Sequence, residues 1–150
     1  MPILPHLDIS NTVVFFDITL ADRPIGRVKL ELHAPVAAEF RGFCTGEARD
    51  GDRPVGFKNA EISGISGNRV FLPSPFVAVG AAGAAVKAAG VVAGMEGGFF
   101  VSLAPLEEKF PIIGQVYDDE SMVVLRMVAH VPVEAGRPRL AAKIVQCGEY

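Results

Sequence analysis

The chain of 150 residues is the size of one domain, and its 50 % hydrophobic content is enough to build a core, which excludes global disorder. A formal net charge of −3, with only 14 Lys and Arg, supplies no basic field for a phosphate backbone, so nucleic acid is not an expected partner. Charged residues at 21 % and a mean hydropathy of +0.35 make the chain apolar for a free monomer and point to surface covered by a partner.

Met1 to Ser10 has neither a basic region nor an apolar run and reads as an N-terminal extension, not a secretory signal. Val13 to Leu20 (VVFFDITL) is rich in β-formers, and Ile25 to Leu32 (IGRVKLEL) follows a turn at Ala21-Asp22-Arg23-Pro24. In the second run Val28, Leu30 and Leu32 alternate with Arg27, Lys29 and Glu31, the period of a half-buried antiparallel strand, and the two runs form a hairpin. From Pro35 to Cys44 the period changes: Val36, Phe40 and Phe43 fall at helical spacing, with proline near the start and Gly46 past the end. Gly46 to Gly56 is a polar loop, and between Ala60 and Gly98 neither period persists. Strand patterns return at Phe99 to Leu103 and Phe110 to Val116. Asp118, Asp119 and Glu120 then place acids at a helix start, with Met122, Leu125 and Val128 on one face, and Ala141 to Gln146 is a last strand. No linker or repeat divides the chain.

Cys44 and Cys147 occur without a CxxC motif or a Cys/His cluster, so neither a disulfide scaffold nor a structural zinc site is expected. A reduced intracellular setting, cytoplasmic by default and with an organelle left open, follows from that usage. Val70 to Val86, the longest uncharged stretch, is broken by Pro73 and Pro75 and is too short to span a bilayer. His6, His33 and His130 are too scattered for a metal set. The glycines from Gly80 to Gly98 contain no GxGxxG or P-loop pattern, and Ser63, Ser66 and Ser102 have no GxSxG setting.

Several co-linear blocks carry a resemblance. They are Asn11 to Leu32, Ala38 to Glu47 (AEFRGFCTGE) followed by Gly56-Phe57-Lys58-Asn59, Phe99-Phe100, Ile113-Gly114-Gln115-Val116 and Lys143 to Tyr150 (KIVQCGEY). In order and spacing they resemble the cyclophilin family of peptidyl-prolyl isomerases, a set more specific than any single motif. The resemblance implies a mainly β fold, a cyclophilin-like closed antiparallel β-barrel capped by two α-helices. It makes 1–150 one domain, with 1–10 an extension and 60–98 a degenerate middle segment.

That middle segment is where the family's chemistry lies. Rotation about an X–Pro bond is slow because amide resonance stiffens the C–N bond. Cyclophilins are thought to assist it with an arginine at the prolyl nitrogen and carbonyl, a glutamine, and a proline pocket of Phe, Met, Phe and Leu rimmed by Trp and His. Two registers carry these positions over. Counting without gaps from Phe57, the arginine position falls on Gly64, its neighbouring Phe on Arg69 and the glutamine on Leu72. Aligning Asn68-Arg69-Val70 with the family's His-Arg-Val instead makes Arg69 the catalytic arginine and Phe76 a pocket residue, with Val79 at the glutamine. Phe100 is the pocket residue placed most directly. In both registers the glutamine is apolar, the histidine position, counted from Gly114, holds Phe110, and the chain has no tryptophan.

The expected role is therefore a cyclophilin-like domain without isomerase activity, a structural or protein-interaction subunit of a larger assembly. The alternatives are a divergent working isomerase in protein folding, with Arg69 catalytic and Phe76 and Phe100 binding substrate, and a non-catalytic module for proline-containing peptides. None of the three requires a cofactor or a metal. Val77 to Gly98, rich in Gly and Ala, is expected to be ordered mainly by partner contacts.

Overall fold

The structure, a computed structural model, describes residues 12–33, 37–45, 49–50, 53–54, 57–58, 60–62, 64–66, 68–73, 83–95, 98–134, 137–138 and 140–150. Strands β1 (Thr12–Leu20) and β2 (Arg23–Leu32) form the opening hairpin. Its two turn residues, Ala21 and Asp22, both take positive φ (50° and 67°), the geometry of a primed turn that matches strand twist. Helix α1 (Ala37–Thr45) follows, then the short β3 (Arg49–Asp50) and β4 (Arg53–Pro54), which pair with each other inside the loop read as polar. Next come β5 (Gly64–Ser66), β6 (Arg69–Pro73), β7 (Gly83–Val86), β8 (Val91–Met95), β9 (Gly98–Ser102) and β10 (Leu106–Val116). Helix α2 (Asp119–Ala129), the paired β11 (Val133–Glu134) and β12 (Arg137–Pro138), and β13 (Ala142–Glu149) complete the chain.

The principal sheet has nine strands in the order β13-β1-β2-β10-β8-β9-β6-β5, with β7 also on β10, and every pairing in it is antiparallel. Its two ends meet. The Ile62 N–H donates to the Ala142 carbonyl at 2.8 Å and the Ile144 N–H to the Ala60 carbonyl at 2.9 Å, so the residues entering β5 pair with β13. Closure of this kind removes the exposed edges of an open sheet.

The interior is built by alternation. Val14, Phe16 and Ile18 of β1 face Val28, Leu30 and Leu32 of β2, and Phe99 and Val101 of β9 join them. Phe40 of α1 sits 4.9 Å from Phe57 and 5.0 Å from Phe99, while Val124, Leu125 and Val128 of α2 enter the same core. The predicted start of α2 is observed: Asp118 is its N-cap and accepts from the Ser121 N–H at 2.9 Å. At Gly114, where β10 meets β2, a Cβ would overlap the Glu31 carbonyl, so this crossing tolerates only glycine.

The middle of the chain differs from its sequence reading. Residues 60–98 lack a persistent period, yet they supply β5, β6, β7 and β8 to the sheet. The Val77 to Gly98 stretch was expected to rely on a partner for order, but its described residues pair within the chain: β7 on β10, and β8 between β10 and β9. Cross-strand pairing to distant, strongly β-forming neighbours here outweighs the weak local preference of GAAV and VVAGM.

Candidate functional site

Alternation along β9 sends two adjacent phenylalanines to different places. Phe99 enters the main core, and Phe100 enters a second cluster with Val86 of β7, Ala93 of β8 and Leu106 of β10. Half-buried Phe71, Val91, Phe110 and Ile112 pack around it. The pairing of Leu106 with Val86 explains the closure of this cluster, because it lays β7 beside β10 and buries the Val86 side chain. Phe100 itself is 0 % exposed. Its ring stands edge-on to Phe110 at 4.8 Å and tilted against Phe71 at 6.0 Å.

Arg69 lies over these rings. It opens β6 opposite Ser102, and Phe71, two residues on and so on the same face, is opposite Phe100. The guanidinium carbon is 5.1 Å from the Phe100 centroid, 5.4 Å from Phe110 and 5.7 Å from Phe71. Contacts of this kind contribute about 0.5–1 kcal/mol at exposed sites and more when desolvated. Arg69 Nε donates to Asn68 Oδ1 at 3.4 Å, and Ser66 Oγ donates to the same oxygen at 2.8 Å. Among the described residues no carboxylate lies within ion-pair distance of Arg69. Buried Ser102 is fully engaged, donating to the Ala88 carbonyl at 2.9 Å and accepting from the Val91 N–H at 3.0 Å.

The structure thus brings Arg69 and Phe100 together. Phe76 and Val79 lie outside the described residues. Gly64 is on β5, facing Phe71 across the hairpin, and Leu72 belongs to the main core. Sequence reasoning missed Phe71, Leu106 and Val86. The alternation of RVFLP puts Phe71 on the face of Arg69 and would have found it, whereas nothing local marks Val86 as the residue that covers Phe100.

The arrangement offers a cation on an apolar bed. The two thiols sit elsewhere: Cys44 is in the main core and Cys147 is packed against it. Burial pushes the Cys44 thiol well above its ordinary range and raises Cys147 in the same direction, which keeps both protonated at neutral pH. Among the described residues no group of three His, Cys, Asp or Glu side chains converges, and no helix is long and apolar enough to cross a membrane.

No family model matches the chain. Individual relatives do. It is 29 % identical to the peptidyl-prolyl cis-trans isomerase CYP22 of Arabidopsis thaliana, across 93 % of this chain and 85 % of the relative. It is 27 % identical to peptidyl-prolyl cis-trans isomerase H of Rhizopus delemar, across 94 % and 96 %. With peptidyl-prolyl cis-trans isomerase 11 of Caenorhabditis elegans the identity is 29 %, across 97 % and 94 %.

Proposed function

We propose that this chain, which is similar over most of its length to peptidyl-prolyl cis-trans isomerases, is a divergent member of the cyclophilin family that serves as a protein-interaction subunit of a larger assembly and does not isomerise prolyl bonds. The observation that carries this reading is the burial of Phe100, the residue that the family resemblance puts in the proline pocket. Its ring is 0 % exposed, packed with Val86 and Leu106 and overlain by Arg69. To admit a proline ring, the chain has to uncover this cluster, at roughly 25 cal/mol per Å² of apolar surface returned to water.

The missing chemistry supports the same reading. The amide barrier of ~18–20 kcal/mol falls only if a preorganised group stabilises the twisted bond. A guanidinium lying on three phenyl rings turns its face to its own protein, and neither a glutamine nor a histidine stands at the family's positions to assist it. The apolar, charge-poor composition favours a covered surface and hence a partner.

One observation favours a working isomerase: Arg69 does lie over Phe100. A protease-coupled assay on a proline peptide separates the two readings. We expect a rate equal to the uncatalysed one. Turnover within about tenfold of an ordinary cyclophilin, abolished by Arg69→Ala, would refute the proposal.

A further inference from the structure

We infer that the Arg69 platform binds a carboxylate of a partner protein, either an Asp or Glu side chain or a chain-terminal carboxylate. The inference rests on the interaction-subunit reading and names what its site takes. A guanidinium carries five N–H donors and no acceptor. In Arg69 the Nε donor is directed at Asn68 Oδ1, and the donors on Nη1 and Nη2 meet no acceptor among the described residues, although the side chain is half-buried. Asn68 extends the same pattern. Its Oδ1 accepts from both Ser66 and Arg69, which turns the Nδ2 donors the other way, and these too have no partner among the described residues.

Among the described residues, the groups that Arg69 and Asn68 leave unpaired are therefore donors. Their best complement is a planar group with two acceptor oxygens and no proton, which describes an ionised carboxylate. The three rings hold the guanidinium in place before the partner arrives, so little side-chain freedom remains to be lost on binding. They also keep water from one side of the ion pair, where a lower local dielectric strengthens it. A lysine cannot replace the arginine here, because it offers a point charge and not a fork.

The test is a titration of the full, ¹⁵N-labelled chain, following the Arg69 Nε–H resonance, which Arg69→Lys removes and so assigns. The probes are acetylated, amidated Ala-Ala-Glu-Ala-Ala, its Gln counterpart, acetyl-Ala-Ala-Ala with a free carboxylate, and inorganic phosphate. We expect a saturable shift with a carboxylate peptide and binding of the Gln peptide weaker by about tenfold or more. Whichever carboxylate binds tighter identifies the source. Absence of a saturable shift with both carboxylate peptides at roughly 20 mM, an affinity below any useful contact, would overturn the inference. Equal binding of the Glu and Gln peptides, or tighter binding of phosphate than of either carboxylate, overturns it as well. The probe series uses the unaltered protein, so it stands even if Arg69 variants fold poorly. Turnover in the isomerase assay removes the interaction-subunit reading without moving any of these titrations.

Discussion

Truncation of Phe100 separates a closed cluster from an open proline pocket. In the structure the ring is fully buried, edge-on to Phe110 at 4.8 Å, and 5.1 Å beneath the Arg69 guanidinium. Cutting a core phenylalanine to alanine costs about 3–5 kcal/mol, and loss of the cation–π contact adds about 0.5–1 kcal/mol. Phe100→Ala should thus lose about 3.5–6 kcal/mol, which at about 2–4 °C per kcal/mol for a domain of this size lowers Tm by roughly 7–24 °C. A ring lining an empty groove is solvated already, and its removal costs less than about 1 kcal/mol. Thermal and urea unfolding of the purified chain measure the difference. Phe100→Leu keeps most of the volume and should lose about 1–2 kcal/mol, so it reads the site if the alanine variant does not fold. A loss below about 1 kcal/mol in Phe100→Ala would show that Phe100 is not packed as described, and the case for a closed pocket would go with it.

Three further outcomes follow from the same geometry. Gly26 sits at φ +145° with the Val124 Cγ2 atom of α2 2.6 Å from the place of a Cβ, so Gly26→Ala should strain the backbone and lift α2 off β2, lowering stability by about 1–3 kcal/mol; an unchanged urea midpoint contradicts that contact. Because the Cys44 thiol is raised by burial, the folded chain keeps a proton there that the unfolded chain loses above its ordinary value of 9.0. Stability should then fall as pH rises beyond 9, by up to about 1.4 kcal/mol per pH unit, and Cys44→Ala should flatten this slope; identical slopes in the two proteins would count against the burial. Cyclosporin is held by cyclophilins in the proline groove with a donor from a rim tryptophan, and this chain has no tryptophan. Each lost hydrogen bond removes about 0.5–1.5 kcal/mol, so calorimetry should detect no binding at micromolar ligand, and a sub-micromolar Kd would show an intact site.

The legible parts of the sequence are those whose local pattern and tertiary role agree. β1, β2 and α2 carry their period in their own residues, and α2 also announces its start through Asp118. The strands of the middle segment do not. β7 and β8 are specified by what lies opposite them, Leu106, Phe110 and Ile112 of β10 and the phenylalanines of β9, and a window of GAAV or VVAGM contains none of that information. The site divides in the same way. Phe100 follows from the co-linear blocks and Arg69 from the likeness of Asn68-Arg69-Val70 to the family's His-Arg-Val. Their closeness depends on the β6–β9 register and the burial of Phe100 on β7, which are long-range facts.

Two faces of one barrel obey different rules. On the inside, Phe16, Leu30, Phe99 and Ile113 fill a volume that every strand shares, so a change there acts on the whole fold. On the outside, the apolar residues of a binding groove answer only to the ligand, and an exposed groove that no longer takes one is an adhesive patch. In this chain β7 and Leu106 cover that patch, and half-buried Arg69 lies across it. The stem and face of the arginine satisfy the rings, and the edge is left for an acceptor that the described residues do not provide. On the reading proposed here, the side chain that obstructs proline binding is the same one that makes the surface selective for a different partner.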